Sequence, residues 1–121
     1  MQEAQHTCFA GVDVAKETLV IAIEGFPAPA GVKTIQNNTR QIRAWLRTLP
    51  VGCAVAVEAT GGYQDELVKL SHAQGLTVYV LNPLDVHHYA KACAVRGKTD
   101  RVDAQVIARY CLLYTSDAAD E

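Results

Sequence analysis

Residues 7–24 read TCFAGVDVAKETLVIAIE, and the fold turns on how this stretch is paired. Thr7–Val14 and Thr18–Glu24 are both rich in β-branched and apolar residues and are parted by only Ala15-Lys-Glu17, so they are expected to form an antiparallel hairpin. Side chains alternate across a strand, which puts Gly11 and Asp13 on one face and Val12 and Val14 on the other. The next segment, Gly25-Phe-Pro-Ala-Pro-Ala-Gly31, cannot continue a ladder and reads as a loop, after which Val32–Gln36 forms a short third strand.

Further along, the period changes. Asn38 and Gln41 have the spacing of a capping box, and Ile42, Trp45, Leu46 and Leu49 make one apolar helical stripe, which places Trp45 in the core. Pro50 and Gly52 end that helix. Cys53–Val57 is an almost unbroken apolar run, as expected of a strand covered on both faces. Gly61-Gly62 turns the chain into a helix from about Tyr63 to Gln74, with Gly75 as its stop. Leu76–Leu81 reads as a further buried strand closed by Asn82-Pro83. Leu84–Val95 is helical, Gly97 breaks it, and Thr99 caps a last helix through Arg101–Tyr110. The order β-β-β-α-β-α-β-α-α predicts an α/β fold: a mixed sheet with an antiparallel hairpin start, then βαβ crossovers, and helices on both faces.

With 121 residues, half of them hydrophobic and a fifth charged, the chain suits one soluble domain. No apolar run is long enough to cross a bilayer, Met1–Thr7 does not resemble a signal peptide, and no membrane association is expected. The four cysteines are scattered without a C-x-x-C pair, so they read as reduced thiols of a cytoplasmic protein. The formal net charge of −2 argues against an evident polyanion binder. It conceals a gradient, however. Residues 111–121 hold three acids and no base, and between His87 and Arg109 five bases (Lys91, Arg96, Lys98, Arg101, Arg109) face two acids, Asp100 and Asp103, for a local net of +3. Residues 111–121 also change composition abruptly and resemble a translated sequencing-library adaptor. They are expected to be a non-native tail to a domain of residues 1–110.

Four acids stand out. Asp13 lies in the first strand, where an ionised carboxylate costs several kcal/mol unless paired or metal-bound; a strand-end Asp leading into a turn accounts for it equally well. Glu58 follows the buried run ending at Val57, at the carboxyl end of a strand, where open α/β sheets bind ligands; a residue leaving the sheet for solvent has the same look. Asp100 and Asp103, spaced i, i+3, would project from one side of a helix, and the helix dipole by itself favours acids there. Brought together, the four would repel one another unless divalent cations neutralised them, and oxygen-only donors favour Mg²⁺ or Mn²⁺.

The segments Gly11-Val-Asp-Val-Ala-Lys16, Val57-Glu-Ala-Thr-Gly61 and Lys98-Thr-Asp-Arg-Val-Asp-Ala104, together with Asn82-Pro83, resemble the ordered acidic blocks of the IS110 family of transposases. The resemblance covers about residues 8–110. It implies an RNase H-like (RuvC-like) fold, with Asp13, Glu58, Asp100 and Asp103 as catalytic acids that bind Mg²⁺ or Mn²⁺ for DNA cleavage and strand transfer. It further implies a prokaryotic, cytoplasmic setting and a DNA partner. A structured bridge RNA, a homo-oligomer in the full-length enzyme and a serine-bearing carboxyl-terminal domain not represented here are implied as well. Neither Ser71 nor Ser116 should inherit that serine's role, and the fragment alone should not complete recombination. Lys16, Arg96, Lys98 and Arg101 are the candidate phosphate contacts, against the alternative of solvated surface bases.

Other motifs carry less. His87-His88 point about 100° apart on a helix and are expected at the surface. Gly61-Gly62 could cradle a phosphate but reads more simply as a strand–helix turn. A fragment of an actin-like or sugar-kinase-like ATPase is the second functional reading, although Val14-Ala-Lys-Glu17 lacks the glycine-rich phosphate turn that class needs after its aspartate. A non-catalytic α/β interaction domain is the third.

Overall fold

The hairpin sets the frame. In the computed structural model, which describes residues 8–25, 31–59, 61–94 and 102–115, β1 (Cys8–Val14) pairs antiparallel with β2 (Thr18–Gly25). Their connection is tight, with the Ala15 amide donating to the Thr18 carbonyl at 2.9 Å. β3 (Lys33–Gln36) adds antiparallel to β2. The two later strands, β4 (Cys53–Glu58) and β5 (Val78–Leu81), are parallel to β1 and to each other, as the expected βαβ crossovers require. The sheet order is β3-β2-β1-β4-β5, so β2, β1 and β4 are flanked on both sides, and β1 and β4 form its inner parallel pair.

Helices α1 (Thr39–Leu46) and α2 (Asp65–Ala73) cover one face, packing Ile42, Trp45, Leu46, Leu67 and Leu70 onto Cys8, Ala10, Val12, Val55 and Val57. The α1 cap is half of the expected box. The Asn38 side chain accepts from the Gln41 amide at 2.9 Å, but the Gln41 side chain returns to the Gln36 amide instead of that of Asn38. α2 ends in a Schellman motif: the Gly75 amide donates to the His72 carbonyl and the Leu76 amide to the Ser71 carbonyl, with Gly75 at φ +78°.

Helices α3 (Pro83–Ala94) and α4 (Ala104–Tyr110) lie on the opposite face, where Phe9, Ala54, Ala56 and Leu81 meet Val86 and Ile107. Asn82 caps α3 by accepting from the Leu84 amide at 2.8 Å, and Pro83 occupies the first helical position, where its missing amide costs nothing.

Three expectations need correction. β5 is an edge strand with Val80 half exposed, not a fully buried one, because among the described residues no strand covers its far side. The last helix begins at Ala104, after the cap residue Asp103, and not at Thr99–Arg101. Nor does helical structure stop at Tyr110: Cys111–Thr115 continue as a π-helical turn, and Cys111 is buried with Phe9 and Ile107. All four cysteines are free. Cys8 and Cys53 are strand neighbours, and burial, with the Cys8 thiol beside it, pushes the Cys53 thiol well above its ordinary range. Among the described residues no helix is long and apolar enough to cross a membrane.

Candidate active site at the ends of the central strands

Because β1 and β4 are parallel and adjacent, their carboxyl ends lie side by side. Their last registered pair is Val12 with Val57, and one further step along the same register sets Asp13 beside Glu58. Strand alternation assigns the face. Phe9 and, by its period of two, Gly11 and Asp13 look towards α3 and α4, as do Ala54, Ala56 and Glu58 on β4. Both acids are half buried, the Glu58 side chain at only 15% exposure. Lys16 sits exposed in the turn after β1, at this same end of the sheet.

Gly11 determines how closely α4 approaches. A Cβ on Gly11 would lie 2.3 Å from the Ala104 carbonyl oxygen and 2.5 Å from the Ala108 amide nitrogen, so the helix backbone rests directly on the β1 backbone. Asp103 immediately precedes Ala104, and Asp13 is two residues on from Gly11 on the covered face. The close contact therefore brings the start of α4 into the neighbourhood of the β1 acid. Asp103 has extended backbone angles (φ −131°, ψ −176°), and its Oδ1 accepts from the Val106 amide at 3.0 Å. It is the helix cap, satisfying one of the amides that a helix start leaves without a partner. Asp103 is thus a cap before the helix and not a residue on its face, and its expected pairing with Asp100 falls outside the described residues. Its second carboxylate oxygen makes no hydrogen bond among the described residues. Asp100, Arg96, Lys98 and Arg101 lie outside the described residues.

One neighbour was not anticipated. His87 Nε2 of α3 lies 3.5 Å from Glu58 Oε2, with His87 half exposed at the rim. The signal was present in the topology: α3 starts directly after β5, whose Leu81 is registered with Glu58, so the second turn of α3 passes the β4 end. Gly61 and Gly62, at φ +63° and +99°, make the strand–helix turn, with the Asp65 amide donating to the Gly62 carbonyl. The Asp65 carboxylate stands beside that turn, where a phosphate would be repelled. Ser71 is fully buried in the core, and Ser116 lies outside the described residues.

The donors at this end of the sheet are carboxylate oxygens, the set that suits a hard divalent cation. Among the described residues no three ligating side chains stand close enough together to hold a metal ion. Of the four acids singled out in the sequence, Asp13, Glu58 and Asp103 are described at this end, on two strand ends and one helix cap.

The model of the IS110-type DEDD transposase family, described simply as transposase, matches residues 10–119. The pilin gene-inverting proteins of Moraxella lacunata and Moraxella bovis are each 30% identical over 108 residues, covering 84% of this chain and 33% of theirs. The chain thus spans about a third of the length of these curated relatives. Among solved structures, RuvC of Thermus thermophilus superposes with a TM-score of 0.62 at 20% identity, over 92% of this chain and 96% of that one. The same protein in complex with a Holliday junction substrate gives 0.59 at 18% identity, over 95% and 96%. The latter two likenesses show a RuvC-like fold, and the sheet order and the family match agree with it: the chain belongs to the IS110-type DEDD transposase family.

Proposed function

We propose that this chain is the RuvC-like catalytic portion of a DNA transposase or recombinase, acting by metal-dependent phosphoryl transfer. The observation that carries the reading is the register of β1 and β4, which sets Asp13 and Glu58 side by side on the face where Gly11 admits the start of α4 and its cap Asp103. Asp13, Glu58 and Asp103, joined by Asp100, would hold Mg²⁺ or Mn²⁺. Two such ions, once bound, stabilise the attacking and leaving oxygens of a phosphodiester exchange. The chain's own part is to fix the carboxylates. Asp13 and Glu58 are anchored on the two central strands, and the α4 cap holds one oxygen of Asp103 and leaves the other to a ligand. Rigid elements suit such a site because sub-ångström placement governs efficiency.

DNA is the substrate on this reading, in line with a relative named for inverting a gene and a fold neighbour solved with a Holliday junction. Lys16, with Arg96, Lys98 and Arg101, would meet its phosphates. A structured bridge RNA and an oligomeric full-length enzyme are part of the same proposal and rest on family resemblance, whereas a domain boundary near Tyr110 rests on the change of composition after it. The ATPase reading is weaker, since the turn after β1 is Ala15-Lys16-Glu17 and holds no glycine with which to wrap a phosphate.

Titration calorimetry with Mn²⁺ tests the site. The parent chain should bind weakly and release heat, and Asp13→Asn or Asp103→Asn should abolish the signal while the melting temperature without metal stays close to the parent's. Undiminished Mn²⁺ binding in both variants would overturn the assignment.

A further inference from the structure

Between Glu24 and Glu58 the chain has no acidic residue, yet it holds Lys33, Arg40, Arg43 and Arg47, four of its 11 bases. The fold gathers these four. At 100° per residue the three arginines fall within an arc of about 60° on α1 and its C-cap, on the side away from the buried Ile42 and Trp45. Lys33 lies on β3, across an open groove of about 1030 Å³ that also has Arg40 on its wall. All four are exposed, and among the described residues none of them is within 4 Å of a carboxylate. At the amino end of α1 the Thr39 hydroxyl donates to the Glu66 carboxylate. The wall between the bases is built from neutral donors such as Thr34, Gln41 and Thr48.

We propose that the outer face of α1 and the β3 edge form a second nucleic-acid surface, one that grips the phosphate backbone of duplex DNA. Charge complementarity selects a polyanion, because three unpaired arginines on one helix face, with Lys33 across the groove from Arg40, repel one another until counter-charge arrives. Guanidinium groups and neutral donors are the groups that hold phosphate oxygens. The one aromatic ring in the wall, Trp45, is turned into the core at 4% exposure and offers no platform on which an unpaired base could stack, which favours a duplex over a single strand. That the duplex is DNA rests on the function proposed above.

The position of this surface gives it a separate role. α1 packs on the Val12 and Val57 face of the sheet, whereas Asp13 and Glu58 belong to the other. A duplex segment held by α1 is therefore not the segment presented to the acids, but a flank or a second arm. Contacts of this kind add affinity without reading sequence.

The experiment is fluorescence anisotropy with the 121-residue chain and a labelled duplex DNA of about 20 base pairs, without divalent metal, across a salt series. Arg40→Gln/Arg43→Gln/Arg47→Gln should weaken binding at least tenfold at low salt. It should also reduce the slope of log K against log salt by about 2–3, near one unit for each phosphate contact removed. The triple Arg→Lys variant should retain affinity within about threefold, which separates lost charge from lost fold, and Mn²⁺ binding should be unchanged in both. Affinity within twofold of the parent and an unchanged slope in the Gln variant would overturn the surface. A duplex RNA that bound tenfold more tightly through the same arginines would overturn its assignment to DNA. Because the assay contains no metal, its failure leaves the acid site untouched, and failure of the calorimetric test leaves this surface untouched.

Discussion

The two faces of the sheet are closed in different ways. Towards α1 and α2 the gap is filled by large side chains, with Leu19, Ile21, Ile42, Trp45 and Leu67 forming a layer of ordinary thickness. Towards α4 the layer that Phe9 fills vanishes at Gly11, which meets the backbone of Ala104 and Ala108, and an ion pair between Arg109 and Glu24 at 3.4 Å ties the same helix to β2. A thick layer can relax around a change, while a backbone-to-backbone contact cannot. The candidate acids stand on the face without slack, and the proposed duplex-binding arginines stand outside the one that has it.

Gly11 puts the largest strain on this contrast. In Gly11→Ala the new Cβ would lie under 3 Å from backbone atoms of α4, so the helix itself must move. We expect a loss of about 3 kcal/mol, at the upper end of ordinary overpacking, and failure to fold stably in Gly11→Val. Denaturant melts measure both. A loss under about 1 kcal/mol for Gly11→Ala would mean that α4 does not sit where the contact places it. Ile42→Ala, the corresponding probe of the thick face, should cost about 2–3 kcal/mol through the cavity it leaves. It should leave Mn²⁺ binding by the folded fraction unaltered, since Ile42 packs on the face of the sheet opposite the acids.

Asp103 sharpens the contrast at smaller cost. Asp103→Ala removes the cap and should destabilise by about 1 kcal/mol, whereas Asp103→Asn keeps an acceptor for the Val106 amide and should be nearly neutral. Metal binding should fail in both. Retention of binding in Asp103→Asn would reduce Asp103 to its structural duty as a cap.

The elements were legible in the sequence because each carries its own period: the stripe at Ile42, Trp45 and Leu46, the run at Cys53–Val57, and the caps at Asn38 and Asn82-Pro83. The α4 start was misplaced because Thr99 and Asp103 both have the form of a cap, and only packing against Gly11 selects between them. The β5 run reads alike whether a strand is central or at an edge. Asp13 and Glu58 could be singled out by position, but their adjacency depends on a register between strands 45 residues apart, which no local pattern encodes. The same long-range pairing hid the approach of His87 to Glu58, and the basic stripe on α1 was masked by the chain's overall negative charge.

Ser71 offers the smallest and cleanest test of the thick face. It is the one polar residue buried there among the described residues, and its hydroxyl has no hydrogen-bond partner. A buried hydroxyl left unpaired costs about 1–3 kcal/mol, and Ala is the better helix former by about 0.5 kcal/mol. The bond that closes the helix end, from the Leu76 amide, goes to the Ser71 backbone carbonyl and survives the substitution. The small void left by the oxygen offsets part of the gain. Ser71→Ala should therefore stabilise the chain by about 1 kcal/mol and raise the melting temperature by about 5 °C. A fall in stability would show that the hydroxyl is satisfied in solution, and that this face is less uniformly apolar than its packing implies.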